Sequence, residues 1–268
     1  MKKIVAILVG VILMVATVSF AEPVRKSGGE IGLEISHIEY EEPDLMKQKG
    51  VMYGVAAAYG LHANKIMLKL DGRFAYGQVD YSSPISGTLD DIDDYNVEAR
   101  IALGYDFPVS EKAIITPYAG FGYRYLNDDM SGMRTNLGAR GYERESRYLY
   151  TPIGIDMIVS LQDGWSMGLV AEYDLFWAGL QKTHWEDVLA NVATMDNDQK
   201  DGWGARGSIK IKKKSGNIDF IIEPFLRYWD IDKSETTDIA STSGTIIGYG
   251  WEPANTSTEW GVKLGIQF

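Results

Sequence analysis

The 268-residue chain contains no cysteine, only eight prolines and three histidines, and after its first twenty residues no long apolar run. Without cysteine there is no disulfide, no thiolate nucleophile and no cysteine zinc cage, and no lipid can be attached to a cysteine at a processed N-terminus. The histidines His37, His62 and His184 fall in separate segments, without the spacing of a metal-ligand pair. No Gly-x-Ser-x-Gly elbow is present. The composition therefore implies no cofactor and no metal. An excess of acidic residues, 37 Asp and Glu against 26 Lys and Arg for a formal charge of −11, argues against nucleic acid as a partner.

The apolar run that does occur is Ile4 to Phe20, preceded by Lys2 and Lys3 and followed by Ala21. A basic start, a short hydrophobic stretch and small residues before a cut are the pattern of a secretory signal peptide. Residues 1–21 are expected to be that peptide and residues 22–268 a single exported domain. Twenty-nine glycines and sixteen tyrosines suit many strands with close backbones and aromatic interface positions.

Alternation is the dominant signal. In the last stretch, Trp260, Val262, Leu264, Ile266 and Phe268 are apolar and Glu259, Gly261, Lys263, Gly265 and Gln267 small or polar. Tyr95, Val97, Ala99, Ile101, Leu103, Tyr105 and Phe107 alternate in the same way with Asn96, Glu98, Arg100, Ala102, Gly104 and Asp106. Period two with one greasy face marks a strand. About ten such segments run along the chain, joined alternately by short turns such as Gln162-Asp163-Gly164 and by polar stretches read as long loops: 41–49, 81–94, 127–142, 180–201 and 232–255. Residues 108–112 read as a turn. Short turns at one end and long loops at the other are the habit of outer-membrane barrels. The expectation is an all-β fold, a closed antiparallel up-and-down transmembrane β-barrel of about ten strands.

The terminal segment, ending on Phe268, resembles the last strand of bacterial outer-membrane β-barrels, which the barrel-assembly machinery recognises; Trp260 and Phe268 are then the assembly signal. That resemblance implies a monomer in the outer membrane of a Gram-negative cell, in contact with membrane lipid and lipopolysaccharide. The basic residues Arg134, Arg140, Arg144 and Arg147 are candidates to pair with lipid phosphates.

With the apolar face outward, the lumen receives charges of both signs, among them Glu98, Arg100, Arg124, Glu172, Asp174, Arg206, Glu223 and Arg227. Buried charges persist when paired and hydrogen-bonded, and near eight strands side chains just fill a barrel. The expected role is a structural or surface-interaction protein with a plugged, charged lumen, with a narrow selective pore as an alternative. A third reading rests on the segment Tyr150-Thr-Pro-Ile-Gly-Ile-Asp156 through Leu169-Val-Ala-Glu-Tyr-Asp-Leu-Phe-Trp177, which looks like a hairpin of omptins, the ten-stranded outer-membrane proteases. That resemblance implies catalytic Asp91 and Asp93 with His184 at the barrel mouth, activating a water for peptide hydrolysis. Lys182 stands where the family's pattern has the aspartate that orients the histidine.

Overall fold

A computed structural model describes residues 27–268, so the signal peptide expected at residues 1–21 lies outside the described residues. The elements in chain order are β1 (Gly28–Glu42), β2 (Met46–Ala63), β3 (Ile66–Ser83), β4 (Gly87–Tyr105), β5 (Phe107–Ser110), β6 (Ala113–Asp129), β7 (Glu143–Ser160), β8 (Trp165–Thr183), β9 (Met195–Gln199), β10 (Gly202–Ser215), β11 (Ile218–Ile231), β12 (Thr237–Ala240), β13 (Ile246–Gly250) and β14 (Asn255–Gln267). Each barrel strand pairs antiparallel with its neighbours in sequence order; β8 joins β10, and β14 returns to β1. The result is a closed ten-stranded barrel, with β5 and β9 as short additions to its two rims. At the seam, twelve residue pairs from Glu30–Gln267 to Glu41–Thr256 join the first strand to the last, and Gly29 and Phe268 exchange both backbone hydrogen bonds.

Alternation places the side chains as the pattern predicts. Leu33, Leu70, Leu103, Phe220, Leu264 and their neighbours stand exposed around the outside, and Trp260 and Phe268 are 58% and 65% exposed. Glu34, Glu98, Glu172, Asp174 and Glu259 are buried inside. In water this arrangement would be inside out; in hydrocarbon it is the stable one, because the strands pair edge to edge around the closed ring and the apolar belt meets lipid.

Two of the five expected long loops, 41–49 and 81–94, are mostly strand, whereas 130–142, 184–194 and most of 232–255 remain outside the barrel strands. β1 and β2 are separated only by Pro43, Asp44 and Leu45, and β3 and β4 only by Pro84, Ile85 and Ser86. Residues read from sequence as the acidic loop 81–94 are thus mostly strand. The β2, β3, β4, β7 and β8 strands hold 18 or 19 residues, where about ten tilted residues cross a bilayer. They continue as a sheet wall beyond the apolar belt, and there their outward residues (Lys47, Lys49, Asp80, Asp93, Glu145, Lys182) are polar or charged. Backbone pairing continues because each extension has a neighbour of equal length to pair with, a fact that composition does not carry. Residues 108–112, read as a turn, begin inside β5, which pairs with β6. The stretch 232–255 carries its own hairpin, β12–β13.

Gly261 sits at the seam with its α-carbon against β1; a β-carbon there would lie 2.7 Å from Ser36 Cα and would press on the Ile35 carbonyl oxygen. Gly261→Val is expected to destabilise the barrel by about 1–3 kcal/mol through overpacking. A lower unfolding midpoint in detergent, with loss of the compact unheated band on gel electrophoresis, checks this.

Candidate functional site

The lumen is layered. Nearest the short-turn end, Lys210 and Lys263 face Glu30 and Glu223: Lys210 reaches Glu30 at 2.8 Å, and Lys263 reaches Glu223 at 2.6 Å. Above them Arg73 and Arg227 both bind Glu34 and Glu259, joining β3 and β11 to β1 and β14. Across the barrel Arg206 holds three carboxylates, Glu98 at 2.8 Å, Glu172 at 2.8 Å and Asp174 at 2.9 Å. Arg100 bridges Asp71 at 2.6 Å and Glu172 at 2.8 Å, and Tyr118 donates to the other oxygen of Glu172 at 2.6 Å. A cavity of about 190 Å³ lies among these groups, lined by His62, Lys69, Arg100, Lys210 and others.

Above the ion pairs comes a layer with no counterpart in the sequence reading. Tyr148, Tyr150, Phe176, Trp229 and Ile231 form a buried cluster on one side of the lumen. Ile38, Met52, Ala75, Val79, Ile92 and Met130 form a second on the other. Tyr150 and Trp229 meet edge to face at 5.0 Å, and Arg124 lies 5.2 Å over the Trp229 ring while donating to Ser257 at 3.1 Å. Tyr150 also donates its hydroxyl to Glu98, tying the apolar layer to the ion pairs below. The alternation that sets lipid-facing aromatics outward sets these few inward. Periodicity alone gives their face, but only the ring of strands shows that they meet.

The outermost layer is organised by Arg144. It bonds Glu42 at 2.6 Å, Asp128 at 3.3 Å and Gln48 at 3.1 Å, beside a cavity of about 30 Å³ that Asp94 also lines. Arg144 is therefore inside the wall, where no lipid phosphate reaches it, which corrects the expectation from sequence. Of its expected companions, Arg147 pairs with Glu145 at 2.7 Å, Arg140 donates to the Val188 carbonyl and Arg134 to the Gly138 carbonyl. Glu252, on the stretch between β13 and β14, is pushed up to about 7 by burial, with Glu42 adding and Arg144 opposing.

The proteolytic constellation implied by the omptin resemblance is not brought together. In β4 the buried, inward residues are Ile92 and Asp94, so Asp93 faces out; its carboxylate accepts from Tyr76 at 2.6 Å and Gln78 at 3.4 Å. Asp91 is exposed at a bulge with φ 58°. His184 misses the lumen for a different reason. Asp174 and Phe176 of β8 point inward, and unbroken alternation would carry His184 to the same face. A one-residue bulge, opposite Leu149–Tyr150, reverses the parity, so Gln181 and Thr183 are the buried residues there. Thus His184 lies on the outer wall, its Nδ1 3.0 Å from Glu186 and its Nε2 3.0 Å from Glu145. Burial presses its pKa down, but the bonds to Glu145 and Glu186 outweigh this and raise it. The pKa of Glu145 is lowered to about 2, where hydrogen bonds from Arg147, His184 and Tyr125 overcome its burial. Glu143, Glu145 and His184 form a cluster able to hold a metal ion, which sequence spacing did not show because two of the three come from one strand and the third lies beyond the end of the next.

The model of the outer membrane protein β-barrel domain family matches residues 6–188. The chain belongs to that family. It is an outer-membrane barrel. Among solved structures it is similar to the outer membrane protease OmpT from Escherichia coli, with 12% identity, a TM-score of 0.65, and coverage of 94% of this chain and 99% of that one. At that identity the likeness is one of fold. The translocator domain of the autotransporter NalP from Neisseria meningitidis (11% identity, TM-score 0.40, 90% and 89% covered) and the toluene transporter TodX of P. putida (9%, 0.36, 92% of each) superpose too loosely to support an argument. No curated protein matches the sequence.

Two predictions follow from the layers. Arg206→Ala strands Glu98 and Asp174 without a cation and is expected to cost about 3–5 kcal/mol, while Arg206→Ala combined with Glu98→Gln recovers part of it; urea unfolding in detergent measures both. Glu252 binds more protons folded than unfolded between about 4.5 and about 7, so its contribution to stability falls as pH rises through that window. Glu252→Gln is expected to match the wild type at pH 4 and to be the more stable at pH 8 in thermal unfolding.

Proposed function

We propose that this protein is a non-conducting outer-membrane scaffold that acts through its outer wall and tips as a structural or surface-interaction protein. The observation that carries this reading is the double closure of the lumen. The 190 Å³ cavity on the periplasmic side and the 30 Å³ cavity above share no lining residue, and the aromatic and aliphatic clusters lie between them. An ion crossing from one to the other would have to break the Arg206 network and part the Tyr150–Trp229 contact.

The strand extensions support the same reading. They hold a rigid wall outside the belt, where Asp80, Asp93, Glu145, Lys182 and Asp196 are presented to lipid headgroups and to whatever approaches the cell. Lipopolysaccharide and outer-membrane lipid are the proposed contacts of the belt and of this wall, and the barrel-assembly machinery the proposed reader of Trp260 and Phe268. The chain acts as a monomer. A selective pore lacks a continuous path, and an omptin-like peptidase would need His184 to face the lumen at the outer mouth, where it is instead occupied on the outer wall by Glu145 and Glu186.

Planar-bilayer recording of the refolded protein tests this. Wild type is expected to show no unitary conductance, and Tyr150→Gly with Trp229→Ala to show small openings. Steady conductance by wild type, or cleavage of a broad peptide pool that His184→Ala abolishes, would overturn the proposal.

A further inference from the structure

The outer-wall cluster at the ends of β7 and β8 has the build of a metal centre. His184 Nε2 and Glu145 Oε1 are 3.0 Å apart, and one ligand atom each from Glu143, Glu145 and His184 falls within 4.8 Å of the others. A cation with bonds of about 2.0–2.2 Å needs neighbouring ligand atoms roughly 3 Å or slightly more apart, so His184 and Glu145 already stand at that spacing and Glu143 lies near enough to close on the ion.

More telling is what holds the other end of each ligand. Glu186 accepts from His184 Nδ1 at 3.0 Å and is itself fixed by the Thr194 hydroxyl at 2.6 Å. Glu145 Oε2 receives Tyr125 at 2.9 Å and Arg147 at 2.7 Å. Glu143 Oε1 receives the Asn127 amide at 2.6 Å. His184 and Glu145 are thus oriented through the atoms they would not use, and Glu143 is steadied by the Asn127 amide. Metal-bound histidines are held in just this way, by a carboxylate on the second ring nitrogen. The main chain is held as well: His184 N donates to the Glu143 carbonyl at 3.1 Å and Glu143 N to Asp187 at 2.9 Å. The three ligands are half-buried, so solvent can deliver an ion and fill the remaining positions with water.

We propose that Glu143, Glu145 and His184 form a binding site for a first-row divalent metal ion, of which Zn²⁺ is the probe. An imidazole with two carboxylates suits zinc and its neighbours, whereas magnesium and calcium take oxygen donors alone. The ion replaces the proton between Nε2 and Oε1, which leaves to water, and it ties the end of β7 to the turn after β8. With a neutral imidazole, the carboxylates of Glu143, Glu145 and Glu186 outnumber the Arg147 guanidinium, so the patch attracts cations.

The test is calorimetric titration of Zn²⁺ into the full chain refolded in detergent. One ion per chain is expected, undisturbed by millimolar Mg²⁺. Affinity should fall at least tenfold in His184→Ala and in Glu143→Gln/Glu145→Gln. It should fall about 10-fold to 100-fold in Glu186→Gln, which touches only the far ring nitrogen. Each variant is first shown to fold by its compact unheated gel band; His37→Ala and His62→Ala serve as controls that keep binding. Absence of stoichiometric binding, or binding that survives His184→Ala, would overturn the proposal.

Discussion

Every backbone N–H and C=O that enters hydrocarbon must be paired within the protein, and a sheet meets that demand only by closing on itself. Here the twelve-pair ladder between β1 and β14 completes the ring. Most other features follow from that closure. Ten strands enclose a lumen narrow enough that charges projecting from different walls meet. Arg73 and Arg227 reach across to the same two glutamates, and Arg206 to carboxylates from β4 and β8.

Such buried pairs add little net stability over apolar packing, because desolvation offsets much of the attraction. They are effective at setting register. A slip of one residue in β10 would turn Arg206 to lipid and Ala205 inward, leaving Glu98, Glu172 and Asp174 without a cation. The same logic explains the apolar layer above. Tyr150 and Trp229 close the space between two polar zones, and the Tyr150 hydroxyl on Glu98 keeps one layer in step with the next.

Much of this was legible in the residues. Trp260 through Phe268, or Tyr95 through Phe107, can lie only as strands with one face in lipid, and the inward charges from Glu34 to Glu259 follow by parity. Less legible was where a strand ends. The acidic run Asp90 to Asp94 has the composition of a loop, yet it lies within β4, because β3 pairs with Ile92 to Asp94 and β6 with Asp93 and Asp94 while Asp90 and Asp91 form the bulge. Parity itself failed at the bulge in β8, where one extra residue moved His184 from the lumen to the outer wall.

By itself, then, the sequence determined the class of fold, the lipid-facing belt and the sign and face of the lumen charges, since each is set by local alternation and the solvent on either side. Which charges pair, which aromatics seal the lumen, and which acids surround His184 were decided by tertiary structure. Those partners are brought together across the ring: Arg206 and Glu98 are 108 residues apart, and His184 and Glu145 are 39. Registers, bulges and strand extensions set such encounters, and these depend on neighbouring strands rather than on the segment that carries the side chain.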